Sequence, residues 1–160
     1  METYIIKKGR HYANFKLERL WPFTDLAIRG EVMLSKECWY PEECIKHSGW
    51  NKIRGIGQIF GVHTNSGRLG FQANTKKEGY CTIAGYWYTD GGDWNATVIK
   101  DIKVEQWYPF IIDWNDGEWF FSIDNSYVTA EGSKPFCPVQ LNPYFGGEDK
   151  AYNTMKFYFK

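Results

Sequence analysis

Short stretches of alternating apolar and polar residues dominate the chain, and their period is two residues, as in strands, rather than the 3.6 of helices. The pattern predicts strands over Tyr4–Lys7, Leu26–Leu34, Gly55–Val62, Arg68–Asn74, Cys81–Tyr88, Thr97–Val104, Tyr108–Trp114, Glu118–Asp124 and Met155–Phe159. Between them, Asn65-Ser66-Gly67, Lys77-Glu78-Gly79, Asp90-Gly91-Gly92 and Asn115-Asp116-Gly117 supply residues that tolerate the positive φ of tight hairpins. A single helix of about two turns is predicted over Pro41–Ser48, with proline in its first turn and Glu42 and Glu43 near the positive end of its dipole. No helix is then available to cover a sheet, so the strands must pack on one another. The predicted fold is an all-β, antiparallel two-sheet sandwich of the jelly-roll kind.

The phase of the alternation separates two faces. In Arg68–Asn74, Leu69, Phe71 and Ala73 point one way and Arg68, Gly70, Gln72 and Asn74 the other. In Tyr80–Tyr88, Cys81, Ile83, Gly85 and Trp87 alternate with Tyr80, Thr82, Ala84, Tyr86 and Tyr88. A hairpin closed at Lys77-Glu78-Gly79 lays the two polar faces side by side. That surface carries Arg68, Gln72, Asn74, Tyr80, Tyr86 and Tyr88, which offer stacking area, directed hydrogen bonds and a guanidinium to a ligand with hydroxyls and apolar faces. His63 and Asn65, at the turn before this strand, stand at its rim and complete the candidate ligand-binding set. The competing structural reading makes the tyrosines solvated strand decoration and His63 a turn residue bonded to backbone.

Length and charge narrow the classes. The 160 residues suffice for one β-sandwich domain over 1–160, and 19 basic against 19 acidic residues give no global attraction to a nucleic-acid duplex or an anionic membrane. No apolar run approaches the roughly 18 residues of a spanning helix. The first twenty residues lack the apolar stretch of a secretory signal, so the expected location is cytoplasmic, with a virion or surface component as the alternative. Aromatic residues make up 19% of the chain, more than one core of this size requires, which favours some exposed rings while most tryptophans are assigned to the core.

Chemistry by motif is sparse. The cysteines Cys38, Cys44, Cys81 and Cys137 are expected as free thiols, and Cys38, Cys44 and His47 lack both a zinc-knuckle spacing and a fourth ligand, so no metal and no cofactor is expected. Glu118 and Asp124 share a strand face but stand six residues, about 20 Å, apart, too far to act as a glycosidase pair. Asp113 and Asp116 flank a turn, where aspartate is expected for backbone reasons. No nucleophile elbow, zinc helix, P-loop or dinucleotide fingerprint occurs.

The aromatic strands, the late segment Leu141-Asn142-Pro143-Tyr144-Phe145-Gly146-Gly147 with its closing strand, and Asn65-Ser66-Gly67-Arg68-Leu69-Gly70-Phe71 together resemble small jelly-roll domains of the concanavalin A-like lectin and glucanase type. The resemblance implies two curved sheets with a ligand groove on the concave face, often for glycans. The E-x-D-x-x-E strand of the laminarinase-like hydrolases is absent, so no catalytic residue is carried over. The sequence reading is therefore a non-enzymatic binding domain for a carbohydrate or similar polar small molecule. One alternative is a sponge-type protein that sequesters a nucleotide signal; another is a structural or virion module, with homo-oligomerisation open.

Overall fold

The computed structural model describes residues 1–14, 26–44, 49–59, 61–147 and 149–160. Among them are eleven strands: β1 (Glu2–Ile6), β2 (Leu26–Leu34), β3 (Asn51–Gln58), β4 (Ser66–Ala73), β5 (Tyr80–Tyr88), β6 (Trp94–Lys103), β7 (Tyr108–Asn115), β8 (Glu118–Ile123), β9 (Ser126–Glu131), β10 (Pro138–Leu141) and β11 (Met155–Phe159). They form a six-stranded sheet in the order β1-β11-β2-β7-β8-β9 and a five-stranded sheet in the order β10-β3-β4-β5-β6. Every pairing is antiparallel. The fold is the expected two-sheet jelly-roll sandwich.

The core lies where the apolar faces meet. Leu69, Phe71, Cys81 and Ile83 of the five-stranded sheet pack with Ile112, Trp119, Phe121 and Phe157 of the six-stranded one. Trp119 and Phe121 stack at 5.9 Å beneath two glycines, because a Cβ at Gly67 would lie 2.4 Å from the Trp119 ring and one at Gly85 2.6 Å from the Phe121 ring. Both glycines lie on core-facing positions, and their missing side chains make room for the two rings. The β7–β8 hairpin turns through Asp116 at φ 49° and Gly117 at φ 86°, both left-handed, as a two-residue primed turn requires.

Three local expectations change. The helix over Pro41–Ser48 is a short 3₁₀ turn at Glu42–Cys44, and residues 45–48, including His47, lie outside the described residues. Strand β3 begins at Asn51, four residues before the expected start, because Lys52 and Arg54 are buried within it around a bulge. Of the described tryptophans only Trp119 is fully buried, and Trp94 is exposed. Cys38 and Cys81 are core thiols, with Cys38 Sγ against Ser35 Oγ and Cys81 Sγ donating to the Cys38 carbonyl.

Candidate active site

The outer face of the five-stranded sheet has a floor of small residues. Register places Gly55, Gly57, Ser66, Gly70, Ala84 and Ala96 on it, with Lys52, Arg68, Tyr86, Tyr88 and Trp94 rising between them. A Cβ at Gly55 would lie 2.5 Å from Arg68 Cγ, so glycine there leaves the arginine its path across the face. Beyond β10 the chain continues to Tyr144, whose backbone exchanges two hydrogen bonds with Lys52 at 2.8 and 3.0 Å. Tyr12 closes edge-on against the Tyr144 ring at 5.0 Å.

A cleft of about 420 Å³ opens on this face, walled by Val62 and His63 from the β3–β4 loop, by Arg68, and by Tyr12, Asn142 and Tyr144 opposite. Among the described residues that line it there is no aspartate and no glutamate. Arg68 is its electrostatic centre: the side chain is buried, and Nη2 donates to the Val62 carbonyl at 2.9 Å. Burial and then the Arg68 charge pull the Lys52 ammonium down to about 7. Its Nζ donates to the Trp50 carbonyl at 2.6 Å and sits 4.4 Å from the centre of the Tyr86 ring. Burial, then Arg68 and Lys52, also lower His63, so a neutral imidazole is favoured at the cleft mouth.

The tyrosines are held in the opposite sense. Burial raises Tyr86, and its hydroxyl donates to the Tyr88 hydroxyl at 3.0 Å. Burial and then Tyr12 raise Tyr144, which keeps its phenolic proton. The cleft thus brings together a neutral base, a fixed cation and a protonated phenol. This set can take a proton, hold an anion and give a proton.

The predicted set separates into two groups. His63 and Arg68 line the cleft, while Tyr88 stands edge-on to His63 at 5.1 Å and Tyr86, opposite Arg68 in the register, donates its hydroxyl to that of Tyr88. Asn65 adopts φ 45° beside them, and its Oδ1 is buried. Gln72 donates to the Gly49 carbonyl at 3.3 Å, farther along the sheet. Asn74 donates to Asp101 at 2.7 Å, and Tyr80 lies under Lys77 Nζ at 3.6 Å. Six residues of strand separate Tyr80 from Tyr86, about 20 Å, so these two stand at the opposite end of the sheet. Tyr86 and Tyr88 are buried rather than openly exposed. Sequence reasoning missed Lys52, because strand β3 was expected to start after it, and assigned no role to Tyr144, although its segment stood out.

The sequence matches no family model and no curated protein. Similar solved structures exist. An alginate lyase from an Alteromonas species aligns with TM-score 0.58 and 7% identity over 97% of this chain and 83% of its own. A polysaccharide lyase of family 18 aligns with TM-score 0.61 and 6% identity over the same shares. A laminarinase from a Flavobacterium species aligns with TM-score 0.50 and 15% identity over 98% of this chain and 75% of its own. These likenesses correct the expectation of a non-enzymatic binding domain, with its nucleotide-sequestering and assembly-module alternatives: the aligned structures are named as two polysaccharide lyases and a laminarinase, enzymes that act on glycans. The absence of a carboxylate pair among the described cleft-lining residues and of the E-x-D-x-x-E strand speaks against hydrolysis, whereas a lyase needs no such pair. The chain has the jelly-roll fold of the concanavalin A-like lectins and glucanases.

Proposed function

We propose that the protein is a carbohydrate-active enzyme that cleaves a uronate-containing, acidic polysaccharide by β-elimination. The observation that carries this reading is the cleft itself, lined by His63, Arg68 and Tyr144, with no carboxylate among its described lining residues. Hydrolysis of a glycosidic bond ordinarily uses two carboxyl groups about 5 to 9.5 Å apart. Elimination instead needs an anion holder, a base and an acid. The lyase names among the similar folds, one of them specific to alginate, agree with that choice.

In the proposed step, Arg68 binds the uronate carboxylate and stabilises the negative charge that develops beside it. Neutral His63 removes the proton on the ring carbon that bears the carboxylate. The bond from the neighbouring carbon to the glycosidic oxygen breaks, a carbon–carbon double bond forms between the two carbons, and Tyr144 gives its proton to the departing oxygen. Electrons and protons balance without an oxidant. The lowered imidazole and raised phenol give each group the form its role demands.

The test is a panel of acidic polysaccharides, alginate included, beside neutral β-glucans, followed by the ultraviolet absorbance of the new conjugated double bond. The reading expects absorbance to grow with an acidic polymer alone. Reducing ends released from a neutral glucan with no such absorbance would overturn it.

A further inference from the structure

The aromatic pair Tyr86–Trp94 is not needed for the elimination step. Trp94 opens β6, the free edge of the five-stranded sheet, and faces outward opposite Tyr88. Its ring lies nearly parallel to Tyr86, with centroids 5.6 Å apart and planes 15° apart, yet it remains 55% exposed. A half-exposed indole held in a fixed plane is a stacking platform, because the plane is set by the protein before a ligand arrives. Two strand spacings separate β6 from Arg68 on β4, so the platform stands about 10 Å from the cleft's cation.

Tyrosine rings occupy the ground between them. In one register row, Ser66 of β4 precedes Tyr88 and Trp94; in the next, Arg68 and Tyr86 are followed by Ala96. Val98 continues the apolar outward strip of the edge strand and is also 55% exposed. A ligand that enters at the edge therefore meets Trp94, passes Tyr86 and reaches Arg68, crossing the strands rather than following them. Aromatic faces suit the apolar face of a sugar ring, and the Lys52 ammonium, 4.4 Å from the centre of the Tyr86 ring, and then Arg68 offer cations to the carboxylates of an acidic chain along this approach.

We infer that Trp94 is a remote sugar-binding subsite, stacking a ring of an acidic polysaccharide chain that runs across the strands into the cleft. This deepens the elimination reading and rests on it for the substrate class. Binding energy gathered so far from the reacting bond favours long chains over short ones.

The experiment compares wild type with Trp94→Ala and Trp94→Phe, using alginate and a length series of alginate oligosaccharides. Two readouts are taken: double-bond absorbance for cleavage, and tryptophan emission for binding. Trp94→Ala should lower kcat/KM for the polymer about tenfold more than for the shortest oligosaccharide cleaved, the factor that about 1.4 kcal/mol of stacking represents. Trp94→Phe, which keeps a ring, should fall between. Equal losses on long and short substrates would overturn the subsite while leaving the elimination reading intact. An emission change on adding alginate that Trp94→Phe abolishes, with no cleavage in any variant, would keep the subsite and overturn elimination. No cleavage together with no such emission change would overturn both.

Discussion

Lys52 holds its ammonium 4.4 Å from the centre of the Tyr86 ring, two strands away, reaching across Gly70 on the strand between. The ring face and the Trp50 carbonyl are modest partners for a buried cation beside Arg68, which is why the lysine is pulled to about 7. Between about 7 and 10.5 the unfolded chain keeps a proton that folded Lys52 releases. The unfolded state then binds more protons, so this group makes stability rise with pH across that window. Below it, burial of the charge costs its full amount.

Lys52→Met removes the titration and keeps much of the volume. Its Tm relative to wild type should be most favourable at about pH 6 and should decline steadily as the pH rises toward 10. Thermal melts of both proteins across that range check the sign. A difference independent of pH would mean that the folded lysine keeps its proton throughout.

The slot under Trp119 gives a second expectation. Gly67→Ala places a methyl group 2.4 Å from the indole of a fully buried tryptophan, so either the ring or the strand must move. Overpacking of this kind costs about 1 to 3 kcal/mol, which for a domain of this length lowers Tm by roughly 3 to 10 °C. Calorimetry measures it directly.

The sandwich was legible because buried strands advertise themselves. The bounds predicted for Leu26–Leu34 and Met155–Phe159 match β2 and β11, and the Asp116-Gly117 turn falls where its chemistry places it. The strands that escaped were those whose pattern is faint. β10 has four residues and opens on proline, while β9 alternates half-buried and exposed positions without a fully buried one. The phase of β4 and β5 placed Arg68, Tyr86 and Tyr88 on one face, since a two-residue period leaves little choice once Leu69 and Phe71 are core. Period alone gives a face and not a position along it, so Asn74 and Tyr80 entered the same set although they stand at the far end. Tyr144 reaches Arg68 through a long-range pairing with Lys52, which no local pattern encodes.

Removing the groups assigned to proton transfer should be costly for activity and mild for folding. His63→Ala and Tyr144→Phe are each expected to lower kcat roughly a hundredfold to ten-thousandfold, with Tm little changed because His63 is exposed and Tyr144 half-buried. The acid limb of kcat/KM should fall below the usual imidazole value of 6.5, because partial desolvation at the cleft mouth and the Arg68 charge disfavour the protonated ring. Initial rates on a cleaved acidic polysaccharide across pH check both points. An acid limb above 6.5 would assign the base to another group.

The central claim is that the bond breaks by elimination, and the fate of solvent oxygen tests it most directly. An acidic polysaccharide that the enzyme depolymerises would be digested in water labelled with heavy oxygen and the products weighed by mass spectrometry. Elimination draws no atom from water, so the account expects unsaturated fragments without the label, their masses summing to that of the parent chain. Saturated fragments, each cleavage carrying one labelled oxygen, would contradict it and establish hydrolysis.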